Sequence, residues 1–118
     1  VSDEPQIYWR EIDAQMGDGA LAISLCPFAV WRHTPKGVWV IPQWMYNRGW
    51  DDVFLQGAAH LIIHTTGKKY AYPTKEEARK SYIIRKQREI QHAAKQHDKA
   101  VKLLAIARGE EPNPTEEF

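Results

Sequence analysis

The sequence predicts an α+β fold, a small antiparallel β-meander of about four or five strands followed by a long C-terminal helix. Three observations carry this expectation. A Thr-Pro-Lys-Gly turn at residues 34–37 joins two short apolar runs. Up to Tyr72 the chain is cut by turn residues into short segments rich in β-branched and aromatic side chains. From Lys75 to Arg108 neither Gly nor Pro interrupts the pattern.

Taken in order, residues 7–12 read as a first strand, closed by the turn Gly17-Asp18-Gly19. Residues 21–25 and 28–33 read as strand, with Pro27 between them at an edge or bulge because it has no N–H for a ladder. At the next turn Pro35 presets its own backbone angle and Gly37 can take a positive φ, so residues 31–33 are expected to fold back on 38–41. Pro42 ends that strand, and residues 44–50 are expected as an aromatic loop. Asp51 or Asp52 can then start a short helical turn through Gln56. Residues 60–65 and 68–72 are expected to pair as a second hairpin about Thr66-Gly67.

The last element begins at a capping box, Thr74-Lys75-Glu76-Glu77, and stops at Gly109, with Pro112 and Pro114 beyond. One domain is expected, with residues 1–73 mainly β, 74–108 a long basic helix and 109–118 a flexible acidic tail. At about 1.5 Å per residue the helix would be on the order of 50 Å long, more than a domain of this size covers. Ile83, Gln87, Ile90, Ala94, His97, Val101 and Leu104 alternate steps of four and three, the spacing of a coiled-coil seam. A straight helix paired with another subunit through Ile83, Ile90, Ala94, Val101 and Leu104 is therefore favoured over one that folds back, since no turn residue marks a fold-back. A homo-oligomer follows from that choice.

The formal charge of +1 hides a polar distribution. Residues 68–108 carry 12 Lys or Arg against 4 Asp or Glu, residues 1–67 carry 4 against 7, and residues 109–118 carry only 4 acids. A basic arm of this kind favours an acidic partner, whether nucleic acid, a nucleotide or an acidic protein face. Arg79, Lys86 and Lys95 are the positions through which the arm is expected to bind, although a basic helix is often no more than a solvated face.

Five Trp in 118 residues are the second departure, and Trp is rarely buried completely. Trp31, Arg32 and Trp39 on the hairpin, with Trp44, Tyr46, Arg48 and Trp50 after it, bring flat rings and guanidinium groups close together. Rings stack on bases or anchor protein interfaces while Arg pairs with anions. The structural counterpart makes Trp31 and Trp39 cross-strand core partners and Trp50 a plug between helix and sheet.

No catalytic signature accompanies these residues. His60 and His64 have metal-ligand spacing only on a helix; on the expected strand they stand about 13 Å apart. His92 and His97 do not share a helix face. Cys26, the single cysteine, excludes an internal disulfide and reads as a buried thiol more simply than as a nucleophile with His33. Asp51-Asp52 can contribute to a Mg²⁺ site but is more simply a helix start. No phosphate-binding glycine loop or serine elbow is present. No catalytic residue, metal or cofactor is assigned. With neither a signal peptide nor a spanning apolar run, a cytoplasmic protein without a membrane partner is expected.

The run Lys69-Tyr70-Ala71-Tyr72-Pro73-Thr74-Lys75-Glu76-Glu77-Ala78, followed by Ser81-Tyr82 and Arg85-Lys86, resembles the ending of many small accessory proteins of tailed phages and prophages. The resemblance covers about the last 50 residues and, loosely, the Trp-rich hairpin. It implies a non-enzymatic protein of the host cytoplasm that binds and blocks a host enzyme, an anti-phage defence component or a nucleotide signal. Two alternatives come from the residues themselves: a nucleic-acid-binding module using the basic helix, and a small-nucleotide binder or hydrolase using the Trp and Arg residues.

Overall fold

Four antiparallel strands joined in sequence order form a curled sheet, and a 33-residue helix follows them, so the fold is α+β as expected. The computed structural model describes residues 4–117; the outermost parts of the expected β segment and acidic tail, residues 1–3 and 118, lie outside the described residues. The chain falls into two units, Val1–Tyr82 and Ile83–Phe118, with the boundary inside the long helix. The strands are β1 (Ile7–Gln15), β2 (Leu21–His33), β3 (Gly37–Pro42) and β4 (His60–Ile63). Two short helices, α1 (Gln43–Arg48) and α2 (Asp52–Ala58), lie between β3 and β4, and α3 (Lys75–Ala107) comes last.

The two strand segments expected on either side of Pro27 are one strand. Val30 donates to Gln6 toward the β1 side, so alternation turns the Pro27 nitrogen to the β3 side. There β3 has already ended, with Pro42 opposite Phe28. The missing donor therefore costs no ladder bond and the strand runs on.

The turn at 34–37 forms as read, with the Thr34 N–H and hydroxyl both donating to the Gly37 carbonyl, but glycine is needed there for another reason. Gly37 does not take positive φ. A Cβ at this position would lie 2.0 Å from the Ile62 carbonyl oxygen, so the close approach of β4 is what excludes a side chain. The expected loop at 44–50 is the helix α1 with its terminus; Gly49, at φ 65°, closes it by donating to the Tyr46 carbonyl.

The expected second hairpin does not form. After β4 the chain crosses the sheet as a strap, and Tyr72 exchanges two backbone hydrogen bonds with Trp9 on the far edge of β1. Ala71 from this strap joins Tyr8, Phe28, Val30, Val38, Val40 and Ile62 in the principal core, with Tyr70 and Cys26 packed against it. Ile62 is 1% exposed, and its truncation to Ala would cost about 2–5 kcal/mol. Ala29 and Ile41 are buried on the opposite face, where α1 and α2 lie against β2 and β3 and bury Leu55.

At the start of α3 one half of the expected capping box forms, the Thr74 hydroxyl accepting from the Glu77 N–H at 3.1 Å. Its first two turns belong to the unit of the sheet and bury Ala78. Its end is equally local: Gly109 donates to Ile106 and Glu110 to Ala105. One helix spans Lys75 to Ala107. Pro114–Glu117 forms a single 3-10 turn.

Candidate binding surface

The tight junction of α1 and α2 aligns three aromatic side chains. Gly49 ends α1 in the left-handed region, and Asp51 is extended and accepts from the Phe54 and Leu55 N–H groups at the start of α2. Trp44 and Trp50 meet edge to face at 5.2 Å, and Trp50 and Phe54 at 6.0 Å. The Arg48 guanidinium lies 5.4 Å from the centre of the Trp44 ring, within cation–π range. These rings support one another yet remain open, with Trp44 48%, Trp50 37% and Phe54 63% exposed. Val53 beside them is 80% exposed, whereas Tyr46 is half-buried. A recess of about 410 Å³ is lined by Gly49, Trp50, Asp51 and Phe54. The structure thus brings Trp44, Arg48 and Trp50 together and adds Phe54, which the sequence placed in the helical turn after Asp51 with no sign that this turn packs beside Trp50.

Trp31, Arg32 and Trp39 form a neighbouring group. The register between β2 and β3 shifts between Val30 and Arg32, so Arg32, and not Trp31, stands opposite Trp39. The cross-strand Trp pair considered from sequence does not occur, because the bulge inserts Trp31 without a partner of its own. Instead the Arg32 guanidinium covers the Trp31 ring at 4.0 Å and pairs with Asp52 of α2 at 3.1 Å. Trp31, Arg32 and Trp39 line a recess of about 280 Å³ with Gln56 and Ala59. Asp52 is thereby a partner of Arg32.

The three basic positions chosen on α3 have different roles. Arg79 donates from Nε to Glu11, a carboxylate on β1 that is only 3% exposed. Its hydrogen bond and then its charge push the already high pKa of the guanidinium further up. Beside it, Tyr82 donates to Asp13 at 2.7 Å, and the Lys75 ammonium lies 4.7 Å from the Trp9 ring centre. Arg79 is therefore a pin between helix and sheet. Lys86 pairs with Glu89 one turn on, at 2.9 Å, and Lys95 is exposed. Glu11 was missed from the sequence because β1 also carries Arg10 and Asp13, so nothing local marks this one acid as buried.

Of the seam residues, Ile83 is 46%, Ile90 69%, Val101 54% and Leu104 50% exposed, and Ala94 is exposed as well. Ile84 and Leu103 are equally open but fall outside the seam.

A further cluster sits under the strap. Tyr70 stacks flat on His60 at 3.6 Å, the Arg10 guanidinium lies 4.3 Å from the Tyr70 ring centre, and Phe28 meets both rings edge-on. Burial, and secondarily Arg10, lowers the His60 pKa below its ordinary value of 6.5. Burial and then the Glu77 carboxylate raise that of Tyr8. Cys26 and His33 lie on the same strand seven residues apart, on the order of 20 Å, too far for a nucleophile and its base. Among the described residues no group of three His, Cys, Asp or Glu is placed to hold a metal ion. No helix is long and apolar enough to cross a membrane.

Fold and site together define an α+β protein with an exposed, preassembled aromatic and cationic ridge. Comparison with protein-family models, curated proteins and solved structures finds no match.

Proposed function

We propose that the protein is a non-enzymatic accessory or inhibitor protein of phage type, which binds and blocks a host or anti-phage defence component. The observation that carries the binding part is the ridge of Trp44, Trp50 and Phe54 with Arg48 over Trp44. Aromatic and Arg side chains dominate interface energetics, and rings already held edge to face lose little conformational freedom on binding. A folded chain gains nothing from leaving such rings in water, so a partner that covers them accounts for their exposure. The phage context rests on the resemblance of residues 69–86 alone. The same reading includes self-association through the helix seam.

The test is affinity capture with purified wild type, Trp44→Ala and Phe54→Ala from lysate of phage-infected cells, followed by binding measurements on the recovered partner. A protein held by wild type and weakened about tenfold or more by each variant, at unchanged melting temperature, is the expected result. Capture of the same proteins with equal affinity by all three would overturn the reading.

The helix offers a second reading, because Lys95, Lys99 and Lys102 are exposed on one 33-residue element and would follow a nucleic-acid backbone. Affinity for a generic oligonucleotide that falls steeply with salt, and survives Trp44→Ala, would favour it.

A further inference from the structure

β2 is longer than the strand beside it. Its pairing with β1 extends from Ala29 down to Leu21, whereas pairing with β3 stops at Phe28. Because even-numbered residues of β2 direct their backbone groups toward β1, Leu21, Ile23 and Leu25 direct theirs to the open side. Among the described residues these N–H and C=O groups take no partner.

Natural sheets blunt such an edge with charge, proline or a bulge. Here none of these falls between residues 21 and 25, and the whole run from Gly19 to Trp31 is uncharged. The side chains along the edge are open as well, with Leu21 88%, Ile23 43% and Leu25 39% exposed. Where β3 ends, a notch of about 500 Å³ remains, lined among others by Leu25, Pro27, Pro42, Gln43, Trp44 and Asn47.

We infer that this edge pairs with the same edge of a second copy, antiparallel about a two-fold axis at Ile23. In that register Ile23 faces Ile23 of the second copy and Leu21 faces its Leu25, each pair exchanging two main-chain hydrogen bonds. Leu21, Ile23 and Leu25 share one face of the sheet, so self-pairing brings six apolar side chains into contact, while small Ala22 and Ser24 meet on the other face. An uncharged segment meets itself without like-charge repulsion, which is why a second copy fits this edge. The register also carries the hairpin tip of the second copy to the notch. The residues arriving there are Gly19 and Ala20, small enough for a space bounded by Pro42 and Trp44. This contact is separate from the helix seam at residues 83–104.

The full-length chain carrying Ile90→Glu and Leu104→Glu isolates the edge by removing any association through the helix. This protein is expected to sediment as a dimer, and to become a monomer that keeps its circular-dichroism spectrum and a cooperative melt when Ile23→Pro or Ile23→Lys is added. Proline removes only the donor on the open side, as Pro27 already does in the same strand. Amide exchange at Ile23 and Leu25 should slow with rising protein concentration. Ile23→Cys in a Cys26→Ser background should oxidise to a covalent dimer, since facing Cα atoms about 5.5 Å apart suit a disulfide. A monomer in the helix-substituted background, or a dimer that persists with Ile23→Pro and leaves the Leu25 amide unprotected, overturns the proposal. A chain that is monomeric alone but loses a foreign partner on Ile23→Pro also overturns it, in favour of strand addition by another protein.

Discussion

Arg79 on the first turns of α3 donates to Glu11, an acid buried in β1, and thereby joins the helix to the sheet. Removing the guanidinium leaves a desolvated carboxylate without that donor, which is more damaging than losing an exposed pair. Arg79→Ala should lower the melting temperature more than Lys86→Ala or Lys95→Ala, because Lys95 is exposed and Lys86 pairs with Glu89, an acid that stays in water. Thermal melts of the three variants side by side check this. Equal melting temperatures would reduce the Arg79 contact to a surface ion pair.

Gly37→Ala should destabilise the protein by about 3 kcal/mol, because the new methyl group meets the Ile62 carbonyl at 2.0 Å and backbone cannot yield as a flexible side chain would. Gly67→Ala, where nothing lies within 4 Å, is the control and should change stability little. Urea unfolding of the two variants gives the comparison.

His60 makes stability depend on pH. Its folded pKa is depressed, first by burial and then by Arg10, so the unfolded chain binds the proton more readily. The contribution of neutral His60 is present above 6.5, the ordinary value, and is lost as pH falls through the folded pKa. His60→Phe keeps a ring against Tyr70 and removes the titration. Its melting temperature should fall less than that of wild type between about pH 7.5 and about pH 5.5. Parallel curves for the two proteins would contradict this.

The helix seam predicts a difference in assembly. Ile90 and Leu104 are 69% and 50% exposed, so Glu at either position meets water in the isolated chain and an apolar contact in an oligomer. Ile90→Glu with Leu104→Glu should lower the sedimenting mass while the helix content by circular dichroism stays the same. A wild-type chain of the same mass as this variant would show that the seam joins no copies.

What the sequence determined alone was set by chemistry within a few residues. The turn at 34–37, the Thr74 cap and the Gly109 stop each depend on hydrogen bonds between near neighbours, so the residue types suffice. The exposure of the Trp44 and Trp50 rings was equally legible, since rings so crowded in sequence cannot all face inward. Tertiary structure decided everything that needed a distant partner. The β propensity of residues 68–72 is satisfied by Trp9, some sixty positions earlier, and not by the nearby β4, so a strap replaced the expected hairpin. Pro27 was compatible with a break or a continuous strand until the end of β3 left its nitrogen facing an empty side. Arg79 carries the same charge as Lys95, yet only one has a buried acid beneath it, and that difference is a matter of which face of β1 the helix meets.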